Sequence, residues 1–278
     1  MNYMRSFFAV LSVLLFLSAP VFAGEHKNIA YGVLDRQKLD IYTFDDARDA
    51  PVMVFIHGGG WRIGNKSRVQ TKPEAFNDAG YVFVSAGYPL LPDHPVEQQA
   101  ESVARVLAWV HANIERYGGD PRRIYIMGHS AGAHLAGLIA TDGSYLDAVR
   151  LSPKILNAVV SVDGATMNVP WRMDTLNEFG RQGRRLFTNA FGEDEKRWEN
   201  LSPYHHAKKG QYIPPFLFLT AAERPASNIA AEGFMERLKG IGVRTQRVKV
   251  ADRDHGTINR KMGEEGDAAF AAILEFLQ

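Results

Sequence analysis

The sequence predicts an α/β fold: a mostly parallel, doubly wound sheet of about eight strands with helices on both faces. Three observations carry this. Short continuous apolar runs, Pro51-Val52-Met53-Val54-Phe55-Ile56 and Tyr81 to Ala86 among them, have the pattern of strands covered on both sides. Those runs alternate with helical patterns, the longest from Val96 to Tyr117. The 278 residues are 46% hydrophobic and 23% charged, a balance that fills the core of one large domain. No internal repeat, low-complexity tract or linker divides the chain, so residues 24–278 read as one domain.

The first 23 residues stand apart. Arg5 precedes an apolar run from Phe7 to Leu17, and Val21-Phe22-Ala23 forms a small-residue cleavage site before Gly24. Length, charge and order predict a secretory signal peptide over residues 1–23. The apolar core is short for a spanning helix, and Pro20 sits near its end. The expectation is a periplasmic or secreted mature chain with no stable membrane insertion.

Next come two alternating stretches, Ile29 to Val33 and Lys38 to Tyr42, which read as an antiparallel hairpin around Asp35-Arg36-Gln37. The strand Pro51–Ile56 is broken abruptly by His57-Gly58-Gly59-Gly60-Trp61. Pro73 to Asp78 reads as a short helix closed by Gly80, and Tyr81 to Ala86 as the next buried strand. Along Val96–Tyr117, Val103, Val106, Leu107, Val110 and Ile114 share one helix face, and Gly118-Gly119 ends it. The strand Arg123–Met127 leads to a helix over Ala131–Ala140. Ala158–Val162 is a further strand, ending at Asp163-Gly164. The stretch 165–213 reads as irregular, with aromatic residues among charges, and is the candidate cap or insertion. Phe216–Thr220 and Thr245–Val250 are the last strands, Pro225–Lys239 and Ala268–Leu277 the last helices.

Composition excludes several functions. The formal net charge is +1 without a long run of like charge, so neither nucleic acid nor an anionic membrane surface is expected as partner. The absence of cysteine excludes disulfides, a thiol nucleophile, thiolate metal sites and a lipoprotein anchor.

The chemistry concentrates at Gly128-His129-Ser130-Ala131-Gly132, between an apolar strand and a helix. A serine flanked at two residues on either side by glycine is the pattern of a nucleophile elbow. The turn is tight, and glycines let strand and helix approach without a Cβ clash. Such a serine needs a general base. His255, in Asp254-His255-Gly256 directly after Thr245–Val250, is in the right topological place. The developing oxyanion needs fixed N–H donors. Gly59 and Gly60 in the glycine run, with Ala131 after the serine, are positioned to supply them. His57 is expected to brace that loop. The acid should follow Phe216–Thr220, where Glu223 is the only carboxylate. Glu223 is therefore expected to orient His255, with Asp163, Asp254 and Asp252 as rivals. Trp61, Tyr88 and Trp171 are candidate pocket walls, with core packing as the competing role.

Four segments together resemble a known group: His57-Gly58-Gly59-Gly60-Trp61, Ser85-Ala86-Gly87-Tyr88-Pro89-Leu90, Gly119-Asp120-Pro121-Arg122-Arg123-Ile124 and Gly128-His129-Ser130-Ala131-Gly132-Ala133-His134-Leu135. The chain resembles α/β-hydrolase carboxylesterases of the hormone-sensitive-lipase-like and bacterial feruloyl-esterase-like group. Kynurenine formamidases look similar too. His129 stands where the hormone-sensitive-lipase branch usually has aspartate, which points to the other two branches. The resemblance implies Ser130, His255 and Glu223 as triad, Gly59, Gly60 and Ala131 as oxyanion hole, and no metal or organic cofactor. It implies a serine esterase acting on a small-molecule ester, with small, aryl or carbohydrate-linked groups as substrate classes. Amide or formamide hydrolysis would use the same constellation. A non-catalytic binding protein of the same fold is the remaining alternative, and the retained nucleophile, base and glycines argue against it.

Overall fold

The computed structural model describes residues 24–176 and 180–278. The predicted signal peptide, residues 1–23, lies outside the described residues. Strands β1 (Gly24–Ala30), β2 (Lys38–Thr43) and β3 (Ala50–Ile56) open the chain. They are followed by α1 (Lys72–Asp78), β4 (Val82–Ala86), α2 (Val96–Asn113), β5 (Gly119–His129) and α3 (Ala131–Thr141). After α4 (Gly143–Ala148) comes β6 (Leu156–Val162). Four helices then run in succession: α5 (Val169–Asp174), α6 (Gly180–Phe191), α7 (Glu195–Asn200) and α8 (Pro203–His206). The chain closes with β7 (Phe216–Ala221), α9 (Pro225–Gly240), β8 (Thr245–Val250), α10 (Thr257–Arg260) and α11 (Ala268–Leu277).

The eight strands form one sheet in the order β1-β2-β4-β3-β5-β6-β7-β8. β1 and β2 pair antiparallel, as do β2 and β4, and every other pair is parallel. Period-two alternation sorts the side chains to two faces. On β3, Val52, Val54 and Ile56 enter the core under α2, α3 and α9. Met53 and Phe55 enter the opposite core, with Phe76 of α1 and Ile273 and Phe276 of α11. Every residue of α3 is buried, which is why that helix carries no charge.

Two sequence expectations are corrected. The first strand begins earlier than Ile29 and ends at Ala30. Beyond it the chain folds back on a turn, in which the Tyr31 N–H donates to Gln37 O at 3.0 Å and Val33 is exposed. The stretch 165–213, read as irregular, is mostly helical. Three of its four helices are only 4 to 6 residues long, too short for a periodicity to stand out, and two of them are started by local caps. Asn168 accepts from the Trp171 N–H and Asp194 from the Lys196 N–H.

Candidate active site

The tight turn at Ser130 is set by backbone geometry. Ser130 has φ 55° and ψ −116°, a strained conformation for a residue with a Cβ, and its N–H is tied to Val162 O on β6 at 2.9 Å. A Cβ on Gly128 would stand 2.2 Å from Gly132 O, and one on Gly132 would stand 2.1 Å from Ile56 O. Both glycines are therefore required by close backbone approach. The hydroxyl is left at the start of α3, at the carboxyl edge of the parallel strands.

His255 Nε2 lies 3.0 Å from Ser130 Oγ. His255 Nδ1 lies 2.7 Å from Asp163 Oδ2. The carboxylate behind the histidine is thus Asp163, not Glu223, which corrects the sequence expectation. β7 lies between β6 and β8 in the sheet. Asp163, one residue past the end of β6, reaches across the end of β7, where the Ala221 N–H donates to its Oδ1 at 3.2 Å. Glu223 is exposed beyond that end. Asp254, another rival, accepts from the N–H groups of Gly256 and Thr257 and caps its own turn.

The Asp163 side chain is fully buried. Burial alone would push its carboxyl up, but the His255 bond and the adjacent Arg224 guanidinium outweigh it and hold it well below the usual carboxylate range. Arg224 Nη1 donates to Asp163 Oδ2 at 2.6 Å and also touches His255 Nδ1. A cation therefore stands near where a carboxylate was expected after β7.

Gly59, Gly60, Ala131 and Ser130 line one cavity of about 480 Å³ together with His255. Neither the Gly59 nor the Gly60 N–H donates to any group among the described residues. Ala131 opens α3, where N–H groups have no intrahelical acceptor. The structure brings these three residues together at the serine. Gly59 and Gly60 have φ of 128° and 58°, the left-handed region that glycine enters without strain.

Of the three pocket candidates, only Trp61 lines the cavity. Tyr88 is fully buried behind it: its hydroxyl donates to His57 O at 2.7 Å and its ring stacks on the His57 ring. Trp171 is replaced in the wall by Arg172, its neighbour on α5, because successive helical residues point about 100° apart. Leu186 and Phe187 of α6 complete the apolar wall.

Apart from His57, sequence reasoning missed the groups that brace this site. His129 Nε2 donates to the His255 carbonyl at 2.8 Å. His134 Nε2 donates to Leu201 O at 2.7 Å, and its Nδ1 accepts from Trp61 Nε1 at 3.3 Å. Burial pushes His57 and His134 down to about 4. Burial and the neighbouring His255 push His129 down to about 3. All three are neutral near pH 7. Lys72, fully buried on α1, donates to Asn259 O at 2.6 Å and so anchors the segment that follows His255. The spacing around Ser130 made His129 and His134 visible in sequence, but not their partners.

Known proteins can now be set beside this geometry. The BD-FAE family model matches residues 39–227, more than half of the chain. The chain belongs to the BD-FAE family. Esterase LipQ of Mycobacterium tuberculosis is 40% identical over 270 residues, covering 91% of this chain and 63% of its own length. A probable isoprenylcysteine alpha-carbonyl methylesterase of Arabidopsis thaliana is 25% identical over 244 residues, covering 82% of this chain and 50% of its own. The chain thus spans about half to 63% of the length of these relatives. Among solved structures, esterase B of Lactobacillus rhamnosis superposes with a TM-score of 0.72 at 18% identity, over 92% of this chain and 87% of that one. Esterase 2 of Thermogutta terrifontis, phosphonylated by sarin, gives 0.70 at 22% identity, over 91% and 92%. These likenesses establish the α/β-hydrolase fold.

Among the described residues no group of three or more His, Cys, Asp or Glu is placed to hold a metal ion. Among the same residues no helix is long and apolar enough to cross a membrane.

Proposed function

We propose that this protein is a serine esterase that hydrolyses carboxylic esters through an acyl-enzyme, with Ser130 as nucleophile, His255 as base and Asp163 as the carboxylate behind it. The observation that carries the reading is the hydrogen-bonded chain Ser130 Oγ, His255 Nε2 and Nδ1, Asp163 Oδ2, ending in a cavity beside unused backbone N–H groups.

Ser130 Oγ attacks the ester carbonyl while His255 takes its proton. The Asp163 carboxylate keeps the proton on Nδ1, so that Nε2 is the free base, and stabilises the imidazolium that forms. The tetrahedral oxyanion is held by the N–H groups of Gly59, Gly60 and Ala131, each worth about 3 kcal/mol in comparable sites. His255 then protonates the leaving alcohol. Water attacks the acyl-enzyme by the same route, and the acid and Ser130 are released. The esterase names of the relatives support ester over amide bonds.

A volume of about 480 Å³ with walls from Trp61, Leu186 and Phe187 suits a small acyl or aryl group. Acetylated or feruloylated carbohydrates are the natural polymers that offer such groups outside the cytoplasm, where residues 1–23 would send the chain. N-terminal sequencing of the exported protein should read from Gly24; retention of residues 1–23 would refute export by cleavage.

The direct test is turnover of p-nitrophenyl acetate and butyrate by residues 24–278, with labelling of Ser130 by a fluorophosphonate. Absence of both would end the esterase reading. A panel of acetyl, butyryl and feruloyl esters then fixes the acyl preference.

A further inference from the structure

A second recess adjoins the Ser130 cavity. It is a groove of about 360 Å³ lined by Gly60, Arg62, Leu91, Arg185, Leu186 and Asn189. Gly60 and Leu186 line both spaces. Leu186 lies against Gly60: a Cβ there would stand 2.6 Å from Leu186 Cδ1. The two residues are the boundary that both spaces share, and a substrate that extends from Ser130 past Gly60 would enter the groove.

Among the described residues the groove has two cations and no carboxylate. Arg62 follows the glycine run, and Arg185 sits on the exposed side of α6. Neither side chain makes a hydrogen bond or ion pair among the described residues, in contrast to Arg122, Arg197 and Arg224, which hold carboxylates. Among the described residues, the one carboxylate lining the adjoining cavity is Asp163, already occupied by His255 and Arg224. The chain as a whole has a formal net charge of only +1, so this local excess is not a general property of the surface. The aliphatic side chains of Leu91 and Leu186 line the same groove. Two planar donors in a groove that also has apolar lining are complementary to an anion on an aliphatic or sugar spacer.

We propose that this groove is an anion-binding subsite that selects esters carrying a carboxylate or phosphate on the part of the substrate that leaves the cavity over Gly60. The turnover side of this proposal rests on the esterase reading. Exposed ion pairs are individually weak, so two arginines give roughly tenfold in selection.

The test uses matched pairs. On the acyl side, the mono-p-nitrophenyl ester of suberate is compared with p-nitrophenyl octanoate. On the alcohol side, the acetate of ω-hydroxyhexanoate and that of hexanediol monophosphate are compared with hexyl acetate. On one of the two sides the anionic ester should have a kcat/KM about tenfold above its neutral partner, through KM, and the advantage should shrink as salt rises. The ratio should fall toward one in Arg62→Gln with Arg185→Gln, and return in Arg62→Lys with Arg185→Lys. The carboxylate and phosphate arms show which anion is preferred. A ratio near one on both sides, or one that survives the double glutamine variant, would overturn the proposal.

Calorimetry on Ser130→Ala protein gives a readout free of turnover. Octanoate or octyl phosphate should bind about tenfold more tightly than octanol, with the difference lost in the double glutamine variant. If no ester is turned over, this arm decides alone. Anion binding through the two arginines would then keep the subsite while the esterase reading fails, and equal binding of octanol and octanoate would overturn the subsite.

Discussion

Replacing Asp163 by asparagine removes a buried negative charge and turns one of its two oxygens into an N–H donor. The orientation of the new amide is fixed by its surroundings. The Ala221 N–H still needs an acceptor at the Oδ1 position, where it now bonds at 3.2 Å, so the amide oxygen stays there. The amide NH2 then faces His255 Nδ1 and Arg224 Nη1, which both now donate to Asp163 Oδ2. Two donors face a third, and His255 relieves the conflict by moving its proton to Nε2. In that tautomer it cannot accept the Ser130 proton across the present 3.0 Å contact. The expected loss in kcat is on the order of ten-thousand-fold, about 5 kcal/mol in barrier. Glu223→Gln, on an exposed residue that makes no hydrogen bond or ion pair with His255, should change kcat by less than about twofold, as surface substitutions usually do. Both variants are compared with wild type by kcat and KM on p-nitrophenyl butyrate, by the rate of fluorophosphonate labelling, and by thermal unfolding to show that they fold. A large loss in Glu223→Gln beside near-normal turnover in Asp163→Asn would refute the reasoning.

Three further predictions follow from buried groups. His57, His129 and His134 are pushed from 6.5 down to about 4, 3 and 4, so the unfolded chain binds more protons than the folded one once pH falls below the unfolded value. Stability present at neutral pH should therefore fall toward pH 5, by at most about 2 kcal/mol per histidine. Urea midpoints at the two pH values check this, and an unchanged midpoint would count against neutral burial. Lys72 is shifted the same way, from 10.5 down to about 7 by burial, so wild type should gain stability relative to Lys72→Met as pH rises above 7, by up to about 1.4 kcal/mol per unit. Parallel pH profiles of the two proteins would contradict a buried ammonium there. Gly132→Ala places a Cβ 2.1 Å from Ile56 O and 2.6 Å from His57 O, both backbone atoms. It should destabilise by roughly 3 kcal/mol or more and lower turnover with it. A melting temperature equal to wild type would show that α3 can move away from β3 without loss.

Much of the fold is legible in the chain because it is written locally. The runs Val52–Ile56 and Ala158–Val162 have no polar residue to face water apart from Ser161, so they had to be interior strands of a sheet covered on both sides. The last strand and last helix were readable to the residue, as Thr245–Val250 and Ala268–Leu277. Three of the four helices of 165–213 were not, because one or two turns give no repeat to detect. Tyr88 looked like a wall for substrate because aromatic residues serve both purposes. Only packing shows that its ring lies on His57, with its hydroxyl on the His57 carbonyl.

The sequence by itself determined the tight turn at Ser130, the glycine run beside it and the histidine after the last strand. Each depends on short-range spacing: a turn that only glycine permits, or a position at the end of a strand. The tertiary structure alone decided which carboxylate stands behind His255. Asp163 is 92 residues from it in sequence. Its reach depends on β7 lying between β6 and β8, and on an Ala221 N–H at the end of β7 to hold its other oxygen. Chain order places Glu223 nearer to His255, but a side chain pointing into water past a strand end cannot orient an imidazole, whereas a buried one across the sheet edge can. The arginines flanking the groove beyond Gly60 come together for the same reason. Arg62 and Arg185 are distant in sequence and meet only where α6 is laid over the glycine run.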